Sequence, residues 1–287
     1  MGKLILSVML LFAFSVQADG GTCGTRSGSG TNEDPYVYAD NCKWSFDEKT
    51  GTLSIFGSGE MGYYTGLTYS GRYHTSAPWS IYDTKITNLK IEDGITSLGQ
   101  SAFEGLINLT KVDIPNSVSK IDYAAFYDTR SLTELKLPDN PNFTSTYGSF
   151  YGMNALKDIV IPDSVKLIGN WSFATCLNLE SITITDNMGL GKMFHWMDGG
   201  LEVNLENLKV YCVGDTAKCD ANLEAAGYGE LKSIKATTKQ VNGVTYVYDK
   251  NGKLIATSGH RKEKRIYTID EANAVAGKVN SVKIRYR

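Results

Sequence analysis

Leu109-Thr-Lys-Val112-Asp-Ile114-Pro115-Asn-Ser117-Val118-Ser-Lys-Ile121-Asp-Tyr-Ala124-Ala125-Phe126 is the stretch whose reading decides the fold. Leu109, Val112 and Ile114 put apolar side chains at the first, fourth and sixth places, so the end of the segment alternates with the period of two that a half-buried strand requires. Pro115 ends the strand, because it has no amide to donate to a ladder and its fixed φ suits a turn. Val118 and Ile121 form a second short apolar pair. Ala125-Phe126 then suits a tight helical or irregular turn before the chain returns to Leu132.

The pattern recurs along the chain. Phe103, Phe126, Phe150 and Phe173 follow one another at 23, 24 and 23 residues, each after a small residue: Ala102, Ala125, Ser149 or Ser172. Pro115, Pro138 and Pro162 keep this step, as do the strand-opening residues Ile86, Leu109, Leu132, Leu156 and Leu179; Leu205 and Leu231 continue the series at a longer step of 26. One unit alone leaves its apolar face bare, and stacking covers it. Each buried aliphatic or aromatic side chain contributes roughly 1.5–3 kcal/mol, enough for columns of Leu, Ile and Phe to hold a stack together. The expected product is a β-rich solenoid of about 23-residue repeats over residues 86–237.

Three departures qualify the pattern. Cys176 shares a column with Leu106, Thr129 and Met153, three residues after the repeat Phe, and is expected inside as a free structural thiol. In the third unit Asp139-Asn140-Pro141-Asn142-Phe143 inserts one residue, which is expected to bulge the second strand. Beyond Leu179 the repeat marks fade, and Gly189, Gly191, Gly199 and Gly200 around Phe194-His195-Trp196-Met197 predict a protruding loop.

Outside the repeats, Lys3, the apolar run Leu4 to Val16 and Ala18 read as a secretory signal peptide over residues 1–18. An uncleaved anchor is the other reading, although the run is shorter than the ~20 residues a spanning helix needs. Residues 19–85 are then an N-terminal cap and 238–287 a small C-terminal α+β module. Export permits disulfides. Cys23 with Cys42, and Cys212 with Cys219, are neighbours in sequence, each closing a short loop at one end of the repeats at a gain of roughly 2–4 kcal/mol. Val241 to Ile255 reads as strand, Asn-Gly turn and strand; Thr268 to Val275 as a short helix capped by Thr268 or Asp270; and Ser281 to Tyr286 as a closing strand.

The order Leu109-x-x-Val112-x-Ile114-Pro115-x-Ser117-Val118-x-x-Ile121-x-x-Ala124-Ala125-Phe126, matched again from Leu156 to Phe173 with Ile168-Gly169, resembles the repeat of BspA-like bacterial leucine-rich repeat surface proteins. Cys42-x-Trp44, Thr50-Gly51-Thr52-Leu53-x-Ile55-x-Gly57-x-Gly59 and Pro78-Trp79 resemble the N-terminal cap of that family, so the likeness spans about residues 21 to 187. The resemblance implies a curved solenoid, secreted or held at the cell surface, in a family linked to adhesion, matrix binding and cell contact. It implies no ligand and no catalytic residue, because such repeats bind through side chains that vary independently of the core.

Chemistry-bearing motifs are scarce. His74, His195 and His260 do not stand at metal-ligand spacing, and the cysteines form no C-x-x-C. Neither a Gly-x-Ser-x-Gly elbow nor a phosphate-binding loop is present. A binding protein without cofactor or metal is therefore expected, its partner a protein or glycan on a host or neighbouring cell. The net charge of -2 hides an asymmetry. From Lys239 onward eleven bases face four acids, a surplus of about seven positive charges, so the rest of the chain stands at about −9. An acidic repeat region argues against nucleic acid. The run His260 to Arg265 is either a solvated loop or a contact to an anionic surface.

Two surfaces compete as binding sites. Strand alternation turns the third and fifth places outward: Asn88, Lys111, Glu134, Asp158, Ser181, Asn207 and Ser233, and beside them Lys90, Asp113, Lys136, Val160, Thr183, Lys209 and Lys235. Lys90, Lys111, Asp113 and Lys136 are the candidates there. The aromatic segment Tyr63 to His74 is either an ordinary long loop or a polysaccharide or peptide contact, since Tyr with Gly and Ser gives amphipathic contact area at low entropic cost. Tyr69, Tyr73 and Trp79 are its candidates, and with them goes the alternative of a carbohydrate-active or carbohydrate-binding accessory protein.

Overall fold

The computed structural model describes residues 19–28, 37–145, 147–195, 203–241 and 243–258. The signal peptide, Trp196, the run His260 to Arg265, and the helix and strand expected after Thr268 lie outside these. Strands are numbered along the chain. One sheet runs β1 (Asp19–Thr22), β4 (Cys42–Asp47), β5 (Thr52–Gly57), β9 (Asn88–Ile91), β11 (Lys111–Asp113), β13 (Glu134–Lys136). Its first two pairings are antiparallel, and from β5 onward all are parallel. A second sheet runs β15 (Asp158–Val160), β17 (Ser181–Thr185), β19 (Lys209–Val213), β20 (Ser233–Val241), β21 (Val244–Asp249), β22 (Leu254–Thr257).

The second apolar pair of each unit builds shorter ladders. One joins β6 (Gly59–Glu60), β10 (Ile95–Leu98), β12 (Lys120–Ile121) and β14 (Thr144–Ser145); another joins β16 (Leu167–Ile168) to β18 (Gly189–Leu190). Two small antiparallel pairs, β2 (Arg26–Ser27) with β3 (Val37–Tyr38) and β7 (Gly66–Tyr69) with β8 (Arg72–Thr75), complete the strands among the described residues.

Parallel register puts like residues in columns. Leu53, Leu89, Val112 and Leu135 pair across four strands and all face the core. Behind them Trp79, Phe103, Phe126, Phe150 and Phe173 form a stacked aromatic column with centroids 5.0–6.0 Å apart. The turn expected around each Phe is a third ladder rather than a helix. Phe103 N donates to Ala125 O, Phe126 N to Ser149 O and Phe150 N to Ser172 O, with a parallel set two residues on from Gly105, Asp128 and Gly152. This ladder demands left-handed backbone twice per unit, at Ser101, Ala124, Gly148 and Trp171 before the Phe and at Gly105, Asp128, Gly152 and Thr175 after it.

Four expectations need correction. The inserted residue of the third unit is absorbed in the turn before β14, which pairs with β12 without a register shift, so no bulge forms. Asn140 holds that turn by donating to Asn116 O and Val118 O. Leu205 does not open a repeat strand: Ile182 pairs with Val210 and Thr183 with Tyr211, so Asn207 takes that place. Leu231 is out by one in the same way, since Val210 pairs with Ser233, and Ile234 is left exposed. Finally, no boundary falls at 238, because β20 runs through it and carries β21 and β22 into the repeat sheet.

Both disulfides form as expected. Cys23–Cys42 ties β4 to the loop after β1, and Cys212–Cys219 ties β19 to a helix, α1 (Thr216–Ala225). Asp215 caps α1 by accepting from Ala217 N. Cys176 is the free thiol, fully buried in its column. Among the described residues no helix is long and apolar enough to cross a membrane.

Candidate functional site

The outward columns of β9, β11 and β13 floor an open groove of about 970 Å³. Its polar lining is Asn88, Lys90, Glu92, Asp93, Lys111, Asp113, Asn116 and Lys136. Lys90 pairs with Glu92 at 2.7 Å and Lys136 with Asp113 at 3.2 Å, while Lys111 between them has no ion-pair partner among the described residues. These side chains stand on a rigid parallel ladder whose other face is the core, so their spacing is fixed by the strands. All four residues expected on this face are brought together.

The same columns fail further along. Val160, Ser181 and Thr183 were expected outside and are buried, at 3%, 4% and 1% exposure. The reason lies in β21 and β22, which fold back over β15, β17 and β19. Val247 and Ala256 pack there with Val160 and Ala236, flanked by Tyr211, Val213 and Ile255. Gln240 reaches across to Asp139, and a cleft of about 300 Å³ marks the edge where Ile255 to Thr257 meet Thr133 to Leu135 and Asp158. The open face is therefore the N-terminal half of the strand array. Val244 to Tyr248 alternates too weakly to announce which face it would cover.

The aromatic segment is not a free loop. β7 and β8 form a hairpin with Ser70 and Gly71 at positive φ in its turn, laid against the repeat turns. A Cβ at Gly66 would collide with the Glu104 carboxylate. Tyr73 packs edge-on against Tyr127 at 4.6 Å, and Tyr127 stacks on Tyr151 at 4.4 Å; burial, and then hydrogen bonding to Tyr73, raise the Tyr127 hydroxyl pKa. Tyr69 ends β7, and its side chain lies outside the described part. His74 is buried with Nδ1 2.6 Å from Asp83, which Arg72 also approaches. Trp79 is a core residue at 0% exposure, donating its indole N–H to Ala102 O, so it cannot meet a ligand. Its spacing of 24 from Phe103 was the available signal. Burial, opposed by a hydrogen bond from Ser101 and aided by Asp128, lifts Glu104 to about 7.

No group of three or more His, Cys, Asp or Glu side chains suited to a metal ion occurs among the described residues. The groove offers paired charges and amides.

Residues 80–192 match, in six copies, the family described as BspA type leucine rich repeat region. Among curated proteins none matches the chain by sequence. Solved structures that match part of the chain include a leucine-rich repeat protein from Eubacterium ventriosum, with 21% identity over 75% of this chain and 47% of that one at a TM-score of 0.46. A leucine rich cell surface protein from Faecalibacterium prausnitzii shares 17% identity over 76% of this chain and 59% of its own, at a TM-score of 0.40. The pneumococcal vaccine antigen PcpA shares 18% over 59% and 46%, at 0.41. The chain thus spans about half the length of the first of these. Residues 80–192 of the chain are thus a BspA-type leucine-rich repeat region.

Proposed function

We propose that this is a secreted or cell-surface adhesion protein, exported by residues 1–18, that binds a protein on a host or neighbouring cell through the open face of β9, β11 and β13. The observation that carries the reading is the division of the strand array: β21 and β22 cover one half, and a polar groove remains open on the other. The groove is poor in aromatic anchors and rich in alternating charge, so single contacts are weak and several copies on a surface would add up through effective concentration. Complementary charge sets register and on-rate more than affinity.

The test is binding of the mature protein to an immobilised panel of extracellular matrix and surface proteins, beside a Lys111→Glu plus Lys136→Glu variant. Binding that falls at least tenfold in the variant supports the reading. Equal binding by both removes the groove from it.

A further inference from the structure

On the flank formed by the second ladder, away from both the groove and the core, three tyrosines are left in solvent: Tyr63, Tyr123 and Tyr147 are 48%, 42% and 52% exposed. They stand in one line along the stack. Lys120 Nζ lies 5.8 Å from the Tyr63 ring and 3.4 Å from its hydroxyl, and pairs at 2.9 Å with Asp122, which precedes Tyr123. The Tyr123 ring edge reaches to 3.9 Å from where a Cβ would stand on Gly148, beside Tyr147. Tyr147 in turn meets the Trp171 ring at 5.3 Å.

None of these rings is needed by the aromatic column, and one is held at a cost. Trp171 sits at φ 60, in a position taken by Ser101, Ala124 and Gly148 in the other units. A bulky side chain in left-handed backbone is a genuine outlier, and such strain gathers at ligand-binding positions. The strained backbone here sets an indole beside Tyr147, on the rung next along.

We propose that Tyr63, Tyr123, Tyr147 and Trp171 are a platform for an extended neutral polysaccharide laid along the repeat axis. Polarised C–H faces of pyranose rings stack on the negative faces of aromatic rings, and a linear polymer meets a line of rings carried on rungs ~4.8 Å apart, with the Gln100 rung between Tyr63 and Tyr123. The strip is one ring wide, where a folded protein would need a broad apolar patch with a rim. Lys120, Asp122 and the Tyr hydroxyls supply hydrogen bonds to sugar hydroxyls at its edge. The strip is separate from the groove and does not depend on it.

Affinity electrophoresis of the whole mature protein in gels containing hydroxyethyl cellulose, xylan or glucomannan tests this. The parent should be retarded in at least one gel, and Tyr147→Ala plus Trp171→Ala should raise the apparent Kd at least tenfold. Tyr147→Phe plus Trp171→Phe should keep most of the retardation, and so should the groove variant Lys111→Glu plus Lys136→Glu. Of the four tryptophans only Trp171 belongs to the strip, so saccharide should also give a change in fluorescence that vanishes in Trp171→Phe. An unretarded parent, or an alanine variant retarded as strongly as the parent, would overturn the proposal. So would retardation lost only in the groove variant.

Discussion

Trp79 and Phe103 stack with centroids 5.7 Å apart and 21° between their planes, so the aromatic column begins a full repeat before the first repeat Phe. The N-terminal segment and the repeats consequently share one core, which runs from Cys23 to Leu231. Phe126 lies inside this column between Phe103 at 5.0 Å and Phe150 at 6.0 Å. Phe126→Ala should cost roughly 3–5 kcal/mol, the transfer loss plus an unfilled cavity. Thermal unfolding measures it, and a loss below about 1 kcal/mol would mean the column is not core.

The left-handed position after each repeat Phe offers a paired test. Gly152 has φ 76 there and Thr175 has φ 54. A β-branched residue is strained in this region by roughly 1–2 kcal/mol, so Thr175→Gly should stabilise by about 1 kcal/mol and Gly152→Thr should destabilise by at least as much. Chemical denaturation compares the two. Effects of the same sign would contradict the shared backbone geometry.

Burial raises the Cys176 thiol to about 12, so it should resist alkylation in the folded protein and react only after unfolding. Mass mapping without reduction should return Cys23 linked to Cys42 and Cys212 to Cys219. Alkylation of Cys176 under native conditions would place its column at the surface.

Glu104 should impose a pH dependence opposite to that of an ordinary ion-paired acid. Its pKa in the folded chain, about 7, lies above the ordinary glutamate value of 4.5. Between these values the unfolded chain has released a proton that the folded chain keeps. The stability contribution is therefore complete below about pH 4.5 and is lost as the pH rises to about 7. At ~1.4 kcal/mol per unit the loss is roughly 3 kcal/mol. Glu104→Gln should remove this slope and exceed the parent in stability at pH 8, measured by urea unfolding across the range. Parallel pH profiles for parent and variant would show that Glu104 does not titrate in this window.

Much of the repeat stack was legible because stacking writes a period into the chain. Phe103, Phe126, Phe150 and Phe173, and with them Leu89, Val112 and Leu135, lie where their spacing places them, and the cysteines pair by proximity. The register failed at Leu205 and Leu231, where the units lose their Pro and Phe marks and α1 intervenes. It takes a capping Asp215 and the turn at Gly227 to recognise that helix, and neither belongs to the repeat. The candidate face was half legible: alternation gives the side of a strand but not what covers it. Val160, Ser181 and Thr183 read as outward, and only the return of β21 and β22 buries them. Tyr73 and Trp79 looked like ligand anchors because an aromatic packed on its neighbours and one offered to a partner have the same sequence. Tyr123 and Tyr147 went unremarked three residues before their repeat Phe, within segments assigned to the turn.

One half of the strand array is proposed to bind, and the other is occupied by the chain itself. Amide hydrogen exchange of the mature protein, alone and with whichever panel protein it captures, tests this most directly. On binding, new protection is expected in Asn88–Ile91, Lys111–Asp113 and Glu134–Lys136, with Ser181–Thr185 and Lys209–Val213 already slow in the free protein and unchanged. Protection that appears only in the latter two strands, or only outside the array, would contradict it.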